Sequence, residues 1–524
     1  MRLDRLWISE FKNLRDFTID FDEKSQYVVL VGKNGTGKSN LIEAIVYIFQ
    51  TLDLEEPAPF GYQLAYRRAV DHGKDLAIEI IAEREKQPVF HVDENEIPKS
   101  EFYSHNPDGS PKYLPRFVFG YYSGPSDRLQ GYFRKHQERF YSKLKSPKAT
   151  AGELPFRPLF LAQNVHGQFV LLAFYSHPDP RAQAFLRDNL RIADLEHIRF
   201  VINRPKWASR ASSDRFWGTT GIPRSMLEKL EEFSIATTKS QRKIALDFRR
   251  STTVECWNFL LNRAGFEEMA TSYKSSQDLF KALESTHISN LLFEIVVDVK
   301  VENADGSISF RELSEGEQQL LLVLGLLRFT KEDEAVFLLD EPDTHLNPAW
   351  SVQYLKFVED MVGQQQTSQI VMATHDPLVF GGLLRNQVRV MNWSSEGRVV
   401  ALEPDEDPRG MGIDSILTSE LFGLRAALDL PTLEEMDARR RLLVKQPKSP
   451  EEVERLRQLD ERLAGLDYSI DSGDPLFPLF VEAMTRWQQD QGLLKPVLSE
   501  EELRRQREQA AEIVRKLKSG GQNG

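Results

Sequence analysis

The chain has 524 residues, of which 41% are hydrophobic and 28% charged, and its formal net charge is −12. This length exceeds a usual single core, so two or three lobes are expected. No apolar run reaches the ~20 residues of a membrane helix and the N-terminus lacks a signal-peptide core, which predicts a cytoplasmic protein without a membrane partner. The acidic balance argues against nucleic-acid binding over the whole surface but leaves a local basic groove open. The single cysteine, Cys256, excludes an intrachain disulfide and a cysteine-based metal cluster.

The first 21 residues predict a pair of antiparallel strands. Apolar and polar residues alternate over residues 3–8 and again over 17–21, with a turn at Asn13 between them. Lys12 and Arg15 flank this turn, so two basic side chains are expected at its tip.

A glycine-rich loop between a predicted strand and a predicted helix is the strongest signal in the sequence. The apolar run 27–31 precedes it, and residues 41–49 follow with helical spacing. Glycines permit a tight loop whose backbone N–H groups surround a polyphosphate, and the helix directs its positive dipole end at the same anion. Lys38 is expected to reach the β- and γ-phosphates of ATP, and the Ser39 hydroxyl to hold Mg²⁺. This phosphate loop and its exit are Gly32, Lys33, Asn34, Gly35, Thr36, Gly37, Lys38, Ser39 and Asn40.

Residues 129–290 are expected to form a mainly helical insertion. Helical spacing covers residues 224–235 and 240–261, and the absence of a sustained heptad pattern excludes a long coiled-coil arm. The segment also holds basic pairs, which are consistent either with contacts to nucleic-acid phosphates or with solvated helix faces. These pairs are Arg134-Lys135, Arg242-Lys243 and Arg249-Arg250.

A second anion site is predicted where the apolar helix 320–327 begins. A serine caps the helix and a glycine permits close approach at its N-terminus, where backbone N–H groups can bind an anion. This signature segment is Ser314, Glu315, Gly316, Glu317 and Gln318.

Two further apolar runs are expected to be buried parallel strands, each followed by polar residues. The run 335–339 leads into Asp340 and Glu341, at the carboxyl edge where such sheets bind ligands. Asp340 suits a Mg²⁺ ligand, and Glu341 suits the general base that polarises the attacking water. Asp343 and His345 come next, and the second run, 369–373, precedes His375.

Residues 403–524 predict a charged helical extension. Ser449 followed by Pro450, and Ser499 followed by glutamates, mark the starts of two helices. Leucines share one face of the first helix, which is consistent with internal packing or with a platform for a partner protein. The leucines are Leu456, Leu459, Leu463 and Leu466.

In this order, the segments resemble those of ABC-type ATPases of the RecF, SMC and OLD-like branch. Residues 11–15 are similar to the N-terminal motif of that branch, residues 313–318 to its signature, and residues 342–348 to its D-loop. The resemblance implies an α/β fold, an ABC-type P-loop ATPase head with a mixed sheet and flanking helices. It also implies four parts: ATPase lobes at 1–128 and 291–402, the helical insertion at 129–290 and the helical extension at 403–524.

The resemblance further implies roles for single residues. Ser314 and Gly316 would close over the γ-phosphate bound to a partner chain, which predicts a homodimer or higher homo-oligomer around ATP and Mg²⁺. The D-loop residues Asp343 and His345 would cross that interface, and His375 would contact the γ-phosphate.

Basic and hydroxyl side chains near the nucleotide are also implied. Lys12 and Arg15 would approach it, unless they form a solvated hairpin tip. The run 121–128 is similar to a segment of OLD-like phage-defence ATPases, which would bring Ser123 or Arg128 to the nucleotide.

The extension bears on the function. OLD nucleases continue into a Toprim domain, whereas the comparable acidic run here, residues 403–407, precedes a proline without alternating strands after it, so no nuclease domain is expected in this chain. Residues 410–424 are similar to ATPase subunits of Septu-type anti-phage defence systems, which act with a separate HNH nuclease. We therefore expect an ATPase with slow or regulated hydrolysis that controls a separate nuclease in bacterial defence. The alternative is a RecF-like repair or recombination ATPase that clamps DNA directly; a transporter ATPase is disfavoured by the N-terminal hairpin and the large insertion.

Overall fold

The structure is a computed structural model, and the described part of it divides into two compact units. The first unit comprises Met1–Val379 and Asn386–Glu403, and the second comprises Phe380–Arg385 and Pro404–Gly524. The described residues are 1–22, 24–69, 75–107, 109–124, 127–144, 158–208, 214–245, 251–302, 306–329, 334–362, 368–445, 447–464, 477–493 and 498–520. The predicted pair Arg249-Arg250 and the last leucine of the predicted stripe, Leu466, lie outside these residues.

The strands, in chain order, run through the first unit. They are β1 (Arg2–Phe11), β2 (Leu14–Asp20), β3 (Tyr27–Gly32), β4 (Tyr62–Ala69), β5 (Asp75–Ala82), β6 (Val89–Val92), β7 (Asn95–Ile97), β8 (Phe117–Tyr122), β9 (Leu159–Leu161), β10 (Ile192–Asn203), β11 (Ala236–Ala245), β12 (Ser251–Asn262), β13 (Leu292–Val301), β14 (Ser307–Ser309), β15 (Ala335–Asp340), β16 (Gln369–Ala373), β17 (Val388–Trp393) and β18 (Val399–Leu402).

The helices occur in both units. They are α1 (Lys38–Leu54), α2 (Lys99–Phe102), α3 (Gln130–Leu144), α4 (Asn164–Ser176), α5 (Pro180–Asp188), α6 (Gly221–Phe233), α7 (Arg263–Thr271), α8 (Ser276–Ile288), α9 (Glu315–Phe329), α10 (Pro348–Val362), α11 (Ile413–Thr418), α12 (Leu430–Val444), α13 (Pro450–Ala464), α14 (Phe477–Asp490) and α15 (Glu500–Gly520). Among the described residues, every helix is either too short or too polar to cross a membrane.

The central sheet positions the candidate site. Its strand order within the described residues is β18-β17-β3-β16-β15-β8-β9, and all neighbours are parallel except β17 and β18. Strands β3, β15 and β16 are apolar and almost wholly buried, as expected for a parallel sheet covered on both faces. Because β3, β16 and β15 are adjacent and parallel, the residues that follow them meet at one edge. The predicted α/β fold class of an ABC-type P-loop ATPase head is confirmed by this sheet.

A second, antiparallel sheet of the described chain has the order β2-β1-β4-β5-β6-β7, and helix α1 lies in the core that it shares with the central sheet. Apolar residues recur along α1 at helical spacing and are buried, so the helix is fixed on both sides. Leu6 of β1, Ile45 of α1 and Val336 of β15 belong to this continuous core. The predicted N-terminal strand pair is confirmed as β1 and β2, with Glu10 opposite Arg15 and Phe11 opposite Leu14.

The other helices of the first unit include a closely packed pair. A methyl group at Gly325 of α9 would lie only 2.1 Å from Cγ1 of Val170 in α4, so only glycine permits this approach.

The aromatic rings of Phe119 and Phe337, on neighbouring strands β8 and β15, stack with centroids 4.8 Å apart. Phe119 and Phe337 occupy paired positions of these two strands, so their stacking matches the register of β8 and β15.

The predicted helix over residues 240–261 is wrong. The structure has instead β11 and β12, which pair along their whole length within a sheet of order β11-β12-β10-β13-β14 in the described chain. Val254, Trp257 and Leu261 recur at helical spacing, but Phe259 and Leu261 are buried on alternate positions against β10. The described residues of 129–290 therefore contain the long strands β10, β11 and β12 in addition to helices α3–α8.

The second unit contains helices α11 to α15. Helix α12 begins at the capping residue Asp429, whose carboxylate accepts a hydrogen bond of 3.0 Å from the backbone N–H of Thr432. Leu459 and Leu463 of α13 are buried, and Arg439 of α12 forms an ion pair with Asp460 of α13. The described part of the leucine stripe therefore packs inside its own unit.

Candidate functional site

The phosphate loop closes around its own lysine. Lys38 is buried at the first position of α1, and its Nζ donates hydrogen bonds to the carbonyl oxygens of Gly32 (2.7 Å) and Lys33 (3.4 Å). Gly35 and Gly37 have φ angles of +84° and +95°, which residues with a Cβ rarely adopt. Burial lowers the pKa of Lys38 to about 8, although the nearby Glu341 and Asp340 oppose the shift. A polyphosphate in this loop would supply the negative charge that the buried ammonium lacks, so the residues fit ATP.

The turn between β1 and β2 holds the loop from outside. Asn13 Nδ2 donates to the carbonyl oxygen of Gly35 (2.9 Å), and Asn40 Nδ2 donates to Asn13 Oδ1 (2.6 Å). A methyl group at Gly37 would lie 2.8 Å from Asn13 Oδ1, so the glycine also makes room for this side chain. Inside the loop, Thr36 Oγ1 donates to the carbonyl oxygen of Lys33 (2.8 Å). The N-terminal hairpin is therefore a structural part of the nucleotide site.

Ser39 and Asp340 meet as a metal site requires. Asp340 ends β15, is 2% exposed, and accepts a hydrogen bond from the Ser39 side chain. Burial raises the pKa of Asp340 to about 6; the nearby Glu341 adds to the shift, whereas Ser39, Arg128 and Lys38 oppose it. A hydroxyl and a carboxylate oxygen are ligands that Mg²⁺ takes together with substrate phosphates. A divalent cation would offset the uncompensated burial of Asp340, so these residues fit Mg²⁺.

Glu341 and His375 face each other beside this pair. His375 Nε2 lies 3.4 Å from Glu341 Oε1, and both side chains are about two-fifths exposed. Glu341 has a φ angle of +54°, and its backbone N–H donates to the carbonyl oxygen of Ala373 at the end of β16 (2.8 Å). Burial lowers the pKa of His375, and Lys38 lowers it further, whereas Glu341 opposes the shift. The histidine is therefore neutral at neutral pH, and its ring can donate one hydrogen bond to a phosphate.

The signature segment touches the D-loop of the same chain. A methyl group at Gly316 would lie 2.5 Å from the carbonyl oxygen of His345, and His345 Nδ1 lies 3.3 Å from Glu315 Oε2. The Ser314 hydroxyl donates to Glu317 Oε2 (2.7 Å), which also accepts from the Ser314 N–H (2.7 Å), so the two residues form a capping box for α9.

The remaining signature residue stays within its own segment. Gln318 Nε2 donates to the carbonyl oxygen of Leu313 (2.7 Å), while Ser314 and Glu315 are exposed to solvent. The helix N-terminus is thus formed and displayed at the surface of the chain.

The D-loop itself is anchored by a buried carboxylate. Asp343 is 4% exposed and accepts a hydrogen bond from the Thr374 hydroxyl at the end of β16. Burial raises the pKa of Asp343 to about 6, although the bond from Thr374 opposes the shift. The backbone N–H of Ser123 donates to the carbonyl oxygen of Asp340 (3.2 Å), and Ser123 Oγ lies 3.2 Å from Thr344 Oγ1. The segment after β8 therefore contacts both the metal-site strand and the D-loop.

The two basic residues of the hairpin turn differ. Lys12 contacts the carboxylate of Glu43 in α1, and Arg128 contacts the same carboxylate. Arg15 is 71% exposed in its side chain and pairs across the hairpin with Glu10, at 3.5 Å. The structure places Lys12 and Arg128 beside the phosphate loop, whereas Arg15 matches the alternative of a solvated hairpin tip.

The sequence motifs do not predict the contacts that three residues make in the site. Asn13 supports the phosphate loop, and Glu43 gathers the basic residues around α1. Gln319 of α9 donates from Nε2 to the carbonyl oxygen of Glu341 (3.4 Å), and among the described atoms its buried Oε1 has no hydrogen-bond partner. Glu43 could have been found from the sequence, because it is a charged residue among the apolar residues of α1, and a buried charge needs a partner. The motif of residues 11–15 predicts a turn at Asn13 but not its contact with the phosphate loop, and the contact of Gln319 leaves no local pattern.

Two curated proteins are similar to parts of the chain. The Septu protein PtuA of Bacillus mycoides (strain KBAB4) is 26% identical over 196 residues, which are 35% of this chain and 27% of the relative. The Retron Vc95 probable ATPase of Vibrio cholerae serotype O1 biovar El Tor is 24% identical over 162 residues, which are 29% of each protein. The matched regions thus span less than a third of these relatives. The predicted resemblance to Septu ATPase subunits is confirmed by the first of them.

Two solved structures also align with the chain. The SMC head domain from Thermotoga maritima is 13% identical with a TM-score of 0.31, and the alignment covers 77% of this chain and 99% of that one. The recombination mediator protein RecF is 16% identical with a TM-score of 0.30, covering 76% and 98% respectively. A family model described as "AAA domain, putative AbiEii toxin, Type IV TA system" matches residues 28–381, about two thirds of the chain, from the phosphate-loop strand past His375. The chain therefore belongs to this AAA domain family.

Proposed function

We propose that the protein binds and hydrolyses ATP at the carboxyl edge of the central sheet. One observation carries this proposal: Lys38, Ser39, Asp340, Glu341 and His375 converge there from three adjacent parallel strands and the helix that follows one of them. These groups are the ones that phosphoryl transfer to water uses.

Each side chain has a task that its surroundings support. Lys38 offers a buried positive charge to the phosphates, and Ser39 and Asp340 would hold Mg²⁺, which supplies electrostatic stabilisation of the phosphate charge when bound. Glu341 is partly exposed beside them and accepts a proton from the attacking water. His375, being neutral, donates a hydrogen bond to the γ-phosphate.

The site is completed by a second copy of the chain. The signature segment has a capped helix N-terminus with exposed Ser314 and Glu315, and it forms one surface with the D-loop through Gly316 and His345. Backbone N–H groups at such a terminus bind anions. Two chains placed head to tail would each present this surface to the phosphates bound by the other, which gives a dimer held together by ATP.

The dimer regulates a separate nuclease in anti-phage defence. Support comes from the names of the relatives, a Septu protein and a retron ATPase, and from the resemblance of residues 410–424 to Septu ATPase subunits. An HNH-type nuclease encoded by a neighbouring gene is the expected partner. ATP hydrolysis acts as a slow or regulated timer of the assembly.

A DNA clamp of RecF type is the second candidate, and the basic pairs are the feature that would favour it. In the structure, Arg134 pairs with Glu138 at 3.2 Å, Lys135 with Glu56 at 2.9 Å, and Arg242 with Glu294 at 2.7 Å. These acidic partners lower the positive potential that phosphate binding requires. The first candidate is therefore preferred.

Phosphate release from ATP and Mg²⁺ tests the proposed chemistry. Glu341→Gln should lower kcat about 10²- to 10⁴-fold, since it removes the general base, while ATP binding persists. Lys38→Ala should lose ATP binding itself. Glu396→Gln is the control, because it makes the same substitution as Glu341→Gln on the exposed β17–β18 hairpin. It should keep the wild-type rate. Unchanged hydrolysis in Glu341→Gln would refute the assigned site.

A further inference from the structure

Glu43 is a buried carboxylate in the middle of the phosphate-loop helix. It lies five residues after Lys38 on α1 and is 1% exposed. One carboxylate oxygen contacts Lys12 Nζ and accepts from the hydroxyl of Tyr132 (3.3 Å), and the other contacts Arg128 Nε. One side chain thus connects α1 with the N-terminal hairpin, the segment after β8, and α3.

A continuous path of hydrogen bonds leads from Glu43 to the phosphate loop. Arg128, fixed by Glu43, donates from Nη2 to Asn40 Oδ1 (2.8 Å). Asn40 donates to Asn13 Oδ1 (2.6 Å), and Asn13 donates to the carbonyl oxygen of Gly35 (2.9 Å). Lys12 precedes Asn13 in the turn and has a φ angle of +55°, so its contact with Glu43 also fixes the turn that carries Asn13.

The charges around Glu43 make its role more than packing. Two cations share one buried carboxylate, and a third cation, Lys38, lies about one and a half turns earlier on the helix. Without the negative charge of Glu43, Lys12 and Arg128 would repel each other and lose a charge-assisted hydrogen bond each. They would then separate and release the path to the loop.

We propose that Glu43 is a positioning residue for ATP binding, which holds Lys12 and Arg128 as a pair and fixes the phosphate loop through Asn40 and Asn13. This inference rests on the proposed ATPase function and assigns to Glu43 no contact with the nucleotide. It acts on the affinity for ATP, because the loop and the cations bind the ground state, and leaves the chemical step at Glu341 and His375 intact.

The test compares Glu43→Gln and Glu43→Asp with Asp53→Asn. Asp53 lies further along the same helix, and its Oδ2 lies within hydrogen-bond distance of His136 Nδ1 of α3 (2.7 Å), so its variant disturbs the same helix pair without touching the path. The Kd of a fluorescent ATP analogue with Mg²⁺, the kcat and the thermal midpoint are measured on the full chain. Glu43→Gln should raise Kd about tenfold with kcat within about twofold of wild type, whereas Asp53→Asn should lower the thermal midpoint without changing Kd.

Further outcomes decide the proposal. Glu43→Asp keeps the charge and should recover part of the affinity. Asn40→Ala breaks the same path without altering the buried carboxylate, so it keeps the test open if Glu43→Gln fails to fold. Its effect on Kd should not multiply with that of Glu43→Gln in the double variant. Wild-type Kd in folded Glu43→Gln, or fully multiplicative effects, would overturn the inference; absence of ATP binding by wild type would instead refute the proposed function.

Discussion

The close contact between the signature segment and the D-loop makes Gly316→Ala an informative perturbation. A methyl group at Gly316 would lie 2.5 Å from the carbonyl oxygen of His345 and 3.3 Å from its carbonyl carbon. Both are backbone atoms, so the D-loop or the helix must move, and overpacking of this kind costs about 1–3 kcal/mol. Alanine recovers at most about 1 kcal/mol through its higher helix propensity. The expected net loss in the free energy of unfolding is therefore about 1–2 kcal/mol.

Gly131→Ala is the matched control. Gly131 lies in α3, and no described atom outside its own helical surroundings comes within 4 Å of the added methyl group. Because Gly131 is the second residue of α3, where only part of the interior helix propensity applies, this variant should gain up to about 0.5 kcal/mol. Urea unfolding of both variants without nucleotide, followed by tryptophan fluorescence, measures the two changes side by side. Equal stabilisation of the two variants would refute the contact between Gly316 and His345.

The composite site, the buried D-loop carboxylate and a left-handed glycine each give a further test. Lys38→Ala and Ser314→Arg should each be inactive alone, but an equimolar mixture should recover phosphate release up to about a quarter of the wild-type rate, because random pairing makes half of the dimers mixed and each mixed dimer has one intact site. A mixture without phosphate release would indicate that the phosphate loop and the signature segment of one chain act on the same ATP. Burial raises the pKa of Asp343 to about 6, so the native state binds this proton more tightly than the unfolded chain does. As the pH rises from about 4 to about 6, the free energy of unfolding of wild type should therefore fall by about 2–3 kcal/mol relative to that of Asp343→Asn. A difference in urea unfolding that does not change with pH would contradict the burial of this carboxyl group. Gly35 has a φ of +84° with no described atom within 4 Å of an added methyl group, so Gly35→Ala should lose about 1–2 kcal/mol through backbone strain alone, and Gly35→Asn should lose less in the same titration.

Local pattern was sufficient for the phosphate loop and the two strands that face it. Strand, glycine loop and helix follow each other within residues 27–54, so their geometry depends on near neighbours. The runs before Asp340 and His375 are buried throughout, which an apolar run predicts directly. Local sequence does not show that these strands are neighbours. That expectation came from the strand order that the family resemblance implies.

Long-range pairing decides what sequence reasoning missed. Residues 240–261 were expected to be helical because their apolar spacing fits both periods, and only the pairing of β12 with β10 and β11 selects the extended form. Glu43 obtains its partners from residues 31 and 85 positions away along the chain. The exposure of Arg15 follows from the register of β1 and β2, which places it opposite Glu10.

The native mass of Glu341→Gln tests the dimer closed around ATP most directly. Light scattering on wild type and Glu341→Gln, with ATP and Mg²⁺ and with or without duplex DNA, measures assembly while hydrolysis is blocked in the variant. We expect Glu341→Gln to reach the mass of two chains or a multiple of it with ATP, and duplex DNA to leave that mass unchanged. A variant that binds ATP yet keeps the mass of one chain would contradict the shared site, and with it the roles of Ser314 and Gly316.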